Sequence, residues 1–269
     1  FSLTIDKANY FAFKVDDIEE AHSHVNFQSL ASDRAAYRLG DQFDQDVLGY
    51  LTGFKQSATH GSPDTVNTTT NGSVAVSTAG TDELLSSMKI DAAAFGGSAG
   101  ASLALQPRTG GATDSTPAAG DTFPLTVIAR MSRLLDQQNV DTQGRWLVVD
   151  PVFMELLKDE DSRLFNADFG GSGLQNGQVG TNIHGFRVYT SNNLPTVGTG
   201  PSFTGTNSTT NYGMIVAGHD SAVATAEQIN KTETYRDPDS FSDIVRGMHL
   251  YGRKILRPEA LVNAKYHLA

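Results

Sequence analysis

Apolar and polar positions alternate along the first stretch of the chain. In "FSLTIDKANYFAFKVDDIEEAHSH" the apolar residues Leu3, Ile5, Phe11, Phe13 and Val15 alternate with polar or small ones, apart from Tyr10 beside Phe11. Period-two patterning with aromatics predicts an extended ribbon, read as two strands turning near residues 6–9. The pattern then changes period. Asp16 followed three residues later by Glu19 has capping-box spacing, and Val15, Ile18, His22 and Val25 recur at three-four spacing, as do Phe43, Val47 and Leu51. A helix over residues 17–51 follows, about 50 Å long at 1.5 Å per residue. Its phase slips near Phe27, so it is a beam on a sheet and not a heptad coiled coil.

Residues 56–120 turn to Ser, Thr, Gly and Ala, with one alternating piece at residues 73–76 and a short helix over residues 81–88. Thr122-Phe123-Pro124 then predicts a helix start, with Leu125, Ile128, Met131, Leu134 and Leu135 as its apolar face. "GRWLVVDPVFMELL" reads as a strand, then Asp150 as N-cap with Pro151 in the first turn, then a second helix. "GFRVYTSNNLP" and "MIVAG" read as strands. Two long ribbons close the chain, residues 222–236 and 244–262, separated by the turn signal "DPDSFSD". The class is α+β.

Composition narrows the functions. The 269-residue chain carries 20 basic and 30 acidic residues, a formal charge of −10, which argues against a phosphate-gripping surface. With no cysteine it holds no disulfide, thiolate metal site or thiol nucleophile. No run approaches the 18 or so apolar residues of a membrane span. The acidic groups Asp237, Asp239, Asp243 and Asp159, Glu160, Asp161 lack the central Gly and terminal Glu of a calcium loop, and the seven His form no i, i+4 pair, so neither metal nor cofactor is expected. The sequons at Asn67, Asn71 and Asn207 read as composition.

Two chemical signals remain. Residues 96–100, "GGSAG", match the G-x-S-x-G elbow of α/β-hydrolases, with Ser98 as nucleophile, His184 or His219 as base and Asp150 as orienter. The flanks lack the strand and helix that an elbow needs, so no catalytic residue is assigned. Basic residues are densest at Arg246, Arg253, Lys254 and Arg257. They read either as a solvated strand face or as partners for acids such as Glu19 and Glu20 of another copy.

Taken in order, "SLTIDKANYFAFKVDDIEEAHSH", "GRWLVVDPVFMELL", "NGQVGTNIHGFRVYTSNNLP" and "YGRKILRPEALVNAKY" resemble the major capsid proteins of tailed phages with the Hong Kong phage (HK-type) fold. The resemblance covers most of the chain except about residues 57–119 and 196–211. It implies that residues 1–14 are the distal part of an extended E-loop lying on a neighbouring subunit, and that residues 15–120 form a peripheral domain with its spine helix at 17–51 and a Ser/Thr/Gly-rich insertion. An axial domain follows at residues 121–219, with peripheral return strands at 220–269. It implies a non-enzymatic shell protein forming pentamers and hexamers of an icosahedral head around double-stranded DNA, assembled in the host cytoplasm and residing in the virion. Scaffold, portal and cementing proteins are implied partners, DNA is near but not gripped, and no membrane is involved. The expected intersubunit contacts are Lys7, Tyr10, Phe11, Phe13, Lys14, Glu19, Glu20, Arg253, Lys254 and Arg257. The family's N-terminal arm is absent from the sequence, and the Asn and acid that some members use for a Lys–Asn cross-link find no match, so cross-linking is not expected. The alternatives are an encapsulin shell with the same fold and a serine hydrolase acting through Ser98.

Overall fold

A computed structural model describes residues 2–16, 27–52, 54–56, 63–65, 84–105, 121–158, 182–197, 201 and 212–268. The chain divides into two compact units, residues 1–47 with 223–254, and residues 48–222 with 255–269.

The first unit is a three-stranded antiparallel sheet and most of a long helix. Strand β1 (Lys7–Asp16) lies along β13 (Ser242–Ile255), which pairs on its other side with β12 (Val223–Arg236). The ribbon is therefore one strand; no turn occurs at residues 6–9. Its alternation holds throughout, with Leu3, Ile5, Phe11, Phe13 and Val15 half-buried and Tyr10 and Lys14 exposed. Helix α1 (Phe27–Thr52) has 26 residues, and its Phe43 and Val47 are half-buried. Asp16, the expected cap, is the last residue of β1, and the rest of the expected helix start, residues 17–20, lies outside the described residues, as do residues 73–76.

The second unit is built on a nine-stranded mixed sheet. In spatial order its main path runs β6 (Asp121–Thr122), β5 (Leu103–Leu105), β14 (Leu261–Leu268), β11 (Tyr212–His219), β7 (Arg145–Val149), β9 (Phe186–Thr190) and β8 (Asn182–Ile183). The short strands β4 (Lys89–Ile90) and β10 (Thr196–Val197) attach to β14 and β11. Outside it, β2 (Phe54–Gln56) and β3 (Pro63–Thr65) form a separate antiparallel pair. Strand β11 is buried from Tyr212 to Gly218, as the continuous run "MIVAG" requires of a strand covered on both faces.

Helix α2 (Pro124–Gln137) starts after Phe123, an N-cap with no side-chain bond, because Thr122 is taken up in β6. Its buried face is Val127, Ile128, Met131 and Leu135. Helix α3 (Pro151–Leu157) is capped as expected: the Asp150 carboxylate accepts from the Phe153 amide at 3.1 Å. The region read as a helix over residues 81–88 shows a 3-10 turn at Ser86–Met88 among its described residues.

The second C-terminal ribbon does not run unbroken to residue 262. Pro258 lacks an amide donor and opens the 3-10 turn Pro258–Ala260, after which β14 enters the second unit's sheet.

Candidate assembly surface

The register of β1 on β13 is set by two glycines that leave room for the ribbon. Phe11 stands opposite Gly247, and a β-carbon built on Gly247 would lie 2.3 Å from Cε1 of Phe11. A β-carbon on Gly252 would lie 2.4 Å from the Thr4 carbonyl oxygen. Neither position tolerates a side chain while the ribbon lies flat. Phe13 stacks on Phe11 at 6.0 Å and 15°. The burial that the sequence reading sought in a neighbouring copy is thus supplied in part by the chain's own β13.

The opposite face of the ribbon is outward. Tyr10 is 81% exposed and stands opposite Met248, itself 41% exposed. Ala12 stands opposite Arg246, whose guanidinium lies 5.0 Å from the Tyr235 ring and donates to Glu233 at 2.8 Å. Hydrogen bonds from Lys231 and Arg246 hold the Glu233 carboxyl down at about 2. Exposed Tyr, Met and Arg in one stripe is the composition of protein–protein contact surfaces.

At the far end the ribbon fastens the β12–β13 turn. Lys14 Nζ donates to Asp237 at 2.6 Å. Ser240 Oγ donates to the same carboxylate at 2.8 Å, and the Asp239 amide donates to it at 3.1 Å. Lys14 first, then these donors, hold the Asp237 carboxyl down at about 2. The acidic cluster is therefore a hydrogen-bonded turn, and it presents Phe241 at 80% exposure.

The other expected contact residues fall in different places. Lys7 pairs with the adjacent Asp6 at 3.2 Å. Arg253, with a side chain only 7% exposed, is turned inward and donates to Asp46 of α1 at 2.5 Å, where Tyr251 also donates at 3.1 Å. Lys254 donates to the Ser2 carbonyl at 3.0 Å. Arg257 belongs to the second unit and bonds Glu259 and Ser221. Glu19 and Glu20 lie outside the described residues.

The second unit accounts for the residues of the hydrolase reading. The chain before Ser98 is a 3-10 turn, Ala92–Phe95, and the strand Leu103–Leu105 follows it, the reverse of an elbow's strand–turn–helix order. Asp91 closes this loop by accepting from the Ala93 and Gly100 amides at 3.1 and 2.7 Å. Lys265 donates to the Gly100 carbonyl and Arg130 to that of Ala94. Asp150 already accepts from Phe153 and from the Tyr266 hydroxyl, the latter at 2.5 Å. His219 bonds Ser221, two residues on, at 2.8 Å, and His184 occupies a turn position with φ 48°. Among the described residues no group of three or more His, Cys, Asp or Glu is arranged to hold a metal. No helix described is long and apolar enough to cross a membrane.

This architecture, a long helix against a three-stranded sheet together with a second mixed-sheet unit, is shared with the shells of tailed phages. The chain is similar over 97% of its length to a structure of Mycobacterium phage Che8, at 26% identity, TM-score 0.62 and 71% coverage of that chain. It is similar over 99% of its length to the capsid of the cyanophage P-SCSP1u, at 17% identity, TM-score 0.64 and 74% coverage of that chain. The mature capsid of bacteriophage PhiM1 matches over 98% of the chain at 18% identity and TM-score 0.60, with 72% of that chain covered. A comparison with curated protein sequences finds no match. The model of the family described as phage capsid protein matches residues 2–264, and the chain belongs to that family. It is a structural protein of the virion, a major capsid protein of an icosahedral shell with the HK-type fold; the encapsulin and hydrolase readings are not favoured.

Proposed function

We propose that copies of this chain close into pentamers and hexamers of the shell around double-stranded DNA, with the outward face of the β1 ribbon as a copy-to-copy contact. The observation that carries this reading is Tyr10, 81% exposed beside Met248 on a strand whose other face is already seated. A lone subunit gains nothing from that exposure, whereas a docked copy buries it. In this reading Phe11 and Phe13 position the ribbon, and Lys7, Lys14, Lys254 and Arg257 meet acids of neighbouring copies, Glu19 and Glu20 among them. Arg253 acts within its own chain as the anchor of α1. In the domain scheme, residues 1–14 belong to the E-loop, 17–51 to the spine and 121–219 to the axial domain. Residues 57–119 are the place for a cementing protein, and scaffold and portal complete the set of partners. The net charge of −10 suits a wall that encloses DNA without gripping it.

Negative-stain microscopy of the expressed full chain, with its scaffold supplied, tests the reading. Closed uniform shells are expected from the parent and soluble unassembled subunits from Tyr10→Asp. Unimpaired shells from Tyr10→Asp would remove the ribbon face from the interface. Monomers alone from the parent would count against self-assembly by this chain.

A further inference from the structure

A pentamer or hexamer cannot be closed by one patch meeting itself. A self-complementary patch stops at a dimer, whereas a ring needs two different surfaces on each copy that fit one another. The outward face of the ribbon is one of them. Its counterpart is an exposed feature elsewhere on the same chain.

Phe241 is such a feature, 80% exposed in the turn between β12 and β13. One exposed phenylalanine is ordinary on a protein surface. The turn that carries this one, however, is braced on all sides. The Asp237 carboxylate gathers Lys14, Ser240 and the Asp239 amide. The Ser240 and Ser242 hydroxyls lie 2.7 Å apart, and the Asp237 amide donates to the Ser242 carbonyl at 3.0 Å. A ring presented on a turn held in this way loses little freedom on docking.

The ribbon face has a low place for that ring. On β1 the small Ala12 is exposed between Tyr10 and Lys14; across the pair it faces Arg246, and Tyr10 faces Met248. Directly opposite residues share a face, so Tyr10, Met248 and Arg246 stand around a residue that carries only a methyl group. The chain's own ring does not reach it. Ser242, next to Phe241, is opposite Asp16, four residues and about 14 Å along the strand from Ala12. Charge fits as well. Arg246 spends Nε and Nη2 on Glu233, and its Nη1 makes no hydrogen bond among the described residues. The exposed Asp239 carboxylate, two residues from Phe241, likewise makes no bond or ion pair among them. Arg246 lies directly opposite Ala12, so one pose serves both ring and carboxylate.

Resting on the ribbon face as a copy-to-copy contact, we propose that its occupant is the braced turn of the next copy. Phe241 lies over Ala12 between Tyr10 and Met248, whose thioether favours an aromatic neighbour, and Asp239 meets Arg246. Each copy gives its turn to one neighbour and its ribbon to the other, a head-to-tail contact that closes into rings.

The test places the photoreactive p-benzoylphenylalanine at Phe241 of the full chain, which keeps an aromatic ring there. Shells assembled with scaffold are irradiated and the products mapped by mass spectrometry. Cross-linked dimers joined to residues 8–14 or 246–250 are expected in shells and not in unassembled subunits. Uniform shells without such dimers, or with the attachment elsewhere, would overturn the docking while leaving self-assembly intact. Phe241→Asp gives an independent check. Shell yield should fall about ten-fold or more, as when a central aromatic anchor is lost, while the denaturant midpoint of the unassembled subunit stays in place. Unimpaired shells from Phe241→Asp would overturn the docking. A parent chain that forms no shells would overturn the ribbon reading and the docking together.

Discussion

Replacing Gly247 by alanine tests whether the ribbon is seated on its own β13. The added β-carbon would stand 2.3 Å from Cε1 of Phe11, whereas non-bonded carbons rest at about 3.5–4.0 Å. The ring must therefore retreat by about 1 Å or more. Overpacking of this kind costs about 1–3 kcal/mol. Phe11 is only half-buried and can tilt toward solvent, which places the cost in the lower part of that range. Alanine also gains about 0.5 kcal/mol over glycine in a strand. The net loss is about 0.5–1.5 kcal/mol, and it falls on the β1 pairing. Hydrogen exchange of unassembled subunits reads this directly: amides of Lys7–Asp16 should exchange roughly 2- to 12-fold faster. In a Phe11→Ala background the obstruction is gone, and Gly247→Ala should then be neutral or slightly stabilising. The coupling energy between the two sites is about 1–2 kcal/mol. Strictly additive effects, or unchanged β1 exchange in Gly247→Ala, would show that Phe11 does not rest on Gly247. If the same variant spared the subunit and blocked only shells, the seat would belong to a neighbouring copy.

Burial raises the Asp150 carboxyl above its ordinary value, against the opposing bonds from Tyr266 and Phe153. A raised folded-state value means that Asp150 favours folding in its protonated form, fully below its unfolded value and lost as pH rises through the folded one. Asp150→Asn, which keeps both acceptor contacts, should therefore be about neutral near pH 7 and flatten the pH dependence in mild acid, whereas Asp150→Ala should cost about 2–4 kcal/mol in denaturant melts. Asp237 has the opposite sign: its lowered carboxyl stabilises above the unfolded value of 3.8, and that stabilisation fades as pH falls through about 2. Lys14→Met should remove part of this acid sensitivity and lower the protection of the 237–242 turn, by an amount that shrinks in high salt. Arg145, 2% exposed, bonds Asp136 in the last turn of α2 and the Val140 and Asp141 carbonyls just beyond it, so Arg145→Met should cost about 2–4 kcal/mol, read as a lower denaturant midpoint. Ser98→Ala should leave shell yield unchanged; lost assembly would give the loop an interface role.

Local signals were legible wherever one residue type has one use. Asp150-Pro151 announced a capped helix, and "MIVAG" announced a strand. The turn at "DPDSFSD" was legible for the same reason. The family was legible because several weak phrases occurred in one order, not because any residue was diagnostic. Register was not legible. Gly247 and Gly252 look like ordinary strand glycines until Phe11 and Thr4 are brought against them, and alternation says which residues share a face without saying which strand receives it. The same limit hid the inward turn of Arg253, since its partner Asp46 is 207 residues away in sequence. The alternation of residues 244–262 concealed a change of sheet, because strands in different sheets carry the same period. The exposure of Met248, Tyr235 and Phe241 also went unread; exposed apolar side chains on a ribbon and its turn give no signal of their own until the fold sorts its two faces.

The place of β14 carries a consequence for timing. It is made after every other described strand, yet it sits between β5 and β11 in the sheet, parallel to one and antiparallel to the other. Until it emerges, β5 and β11 have no common neighbour and each presents an open edge. The sheet of the second unit therefore waits on residues 261–268, and until they emerge a nascent chain carries an unfilled slot in it. During that interval the slot is open to the wrong strand, including one from another copy being made nearby. For a protein produced in many copies at once, the filling of that slot decides whether the chain becomes a building block or an aggregate.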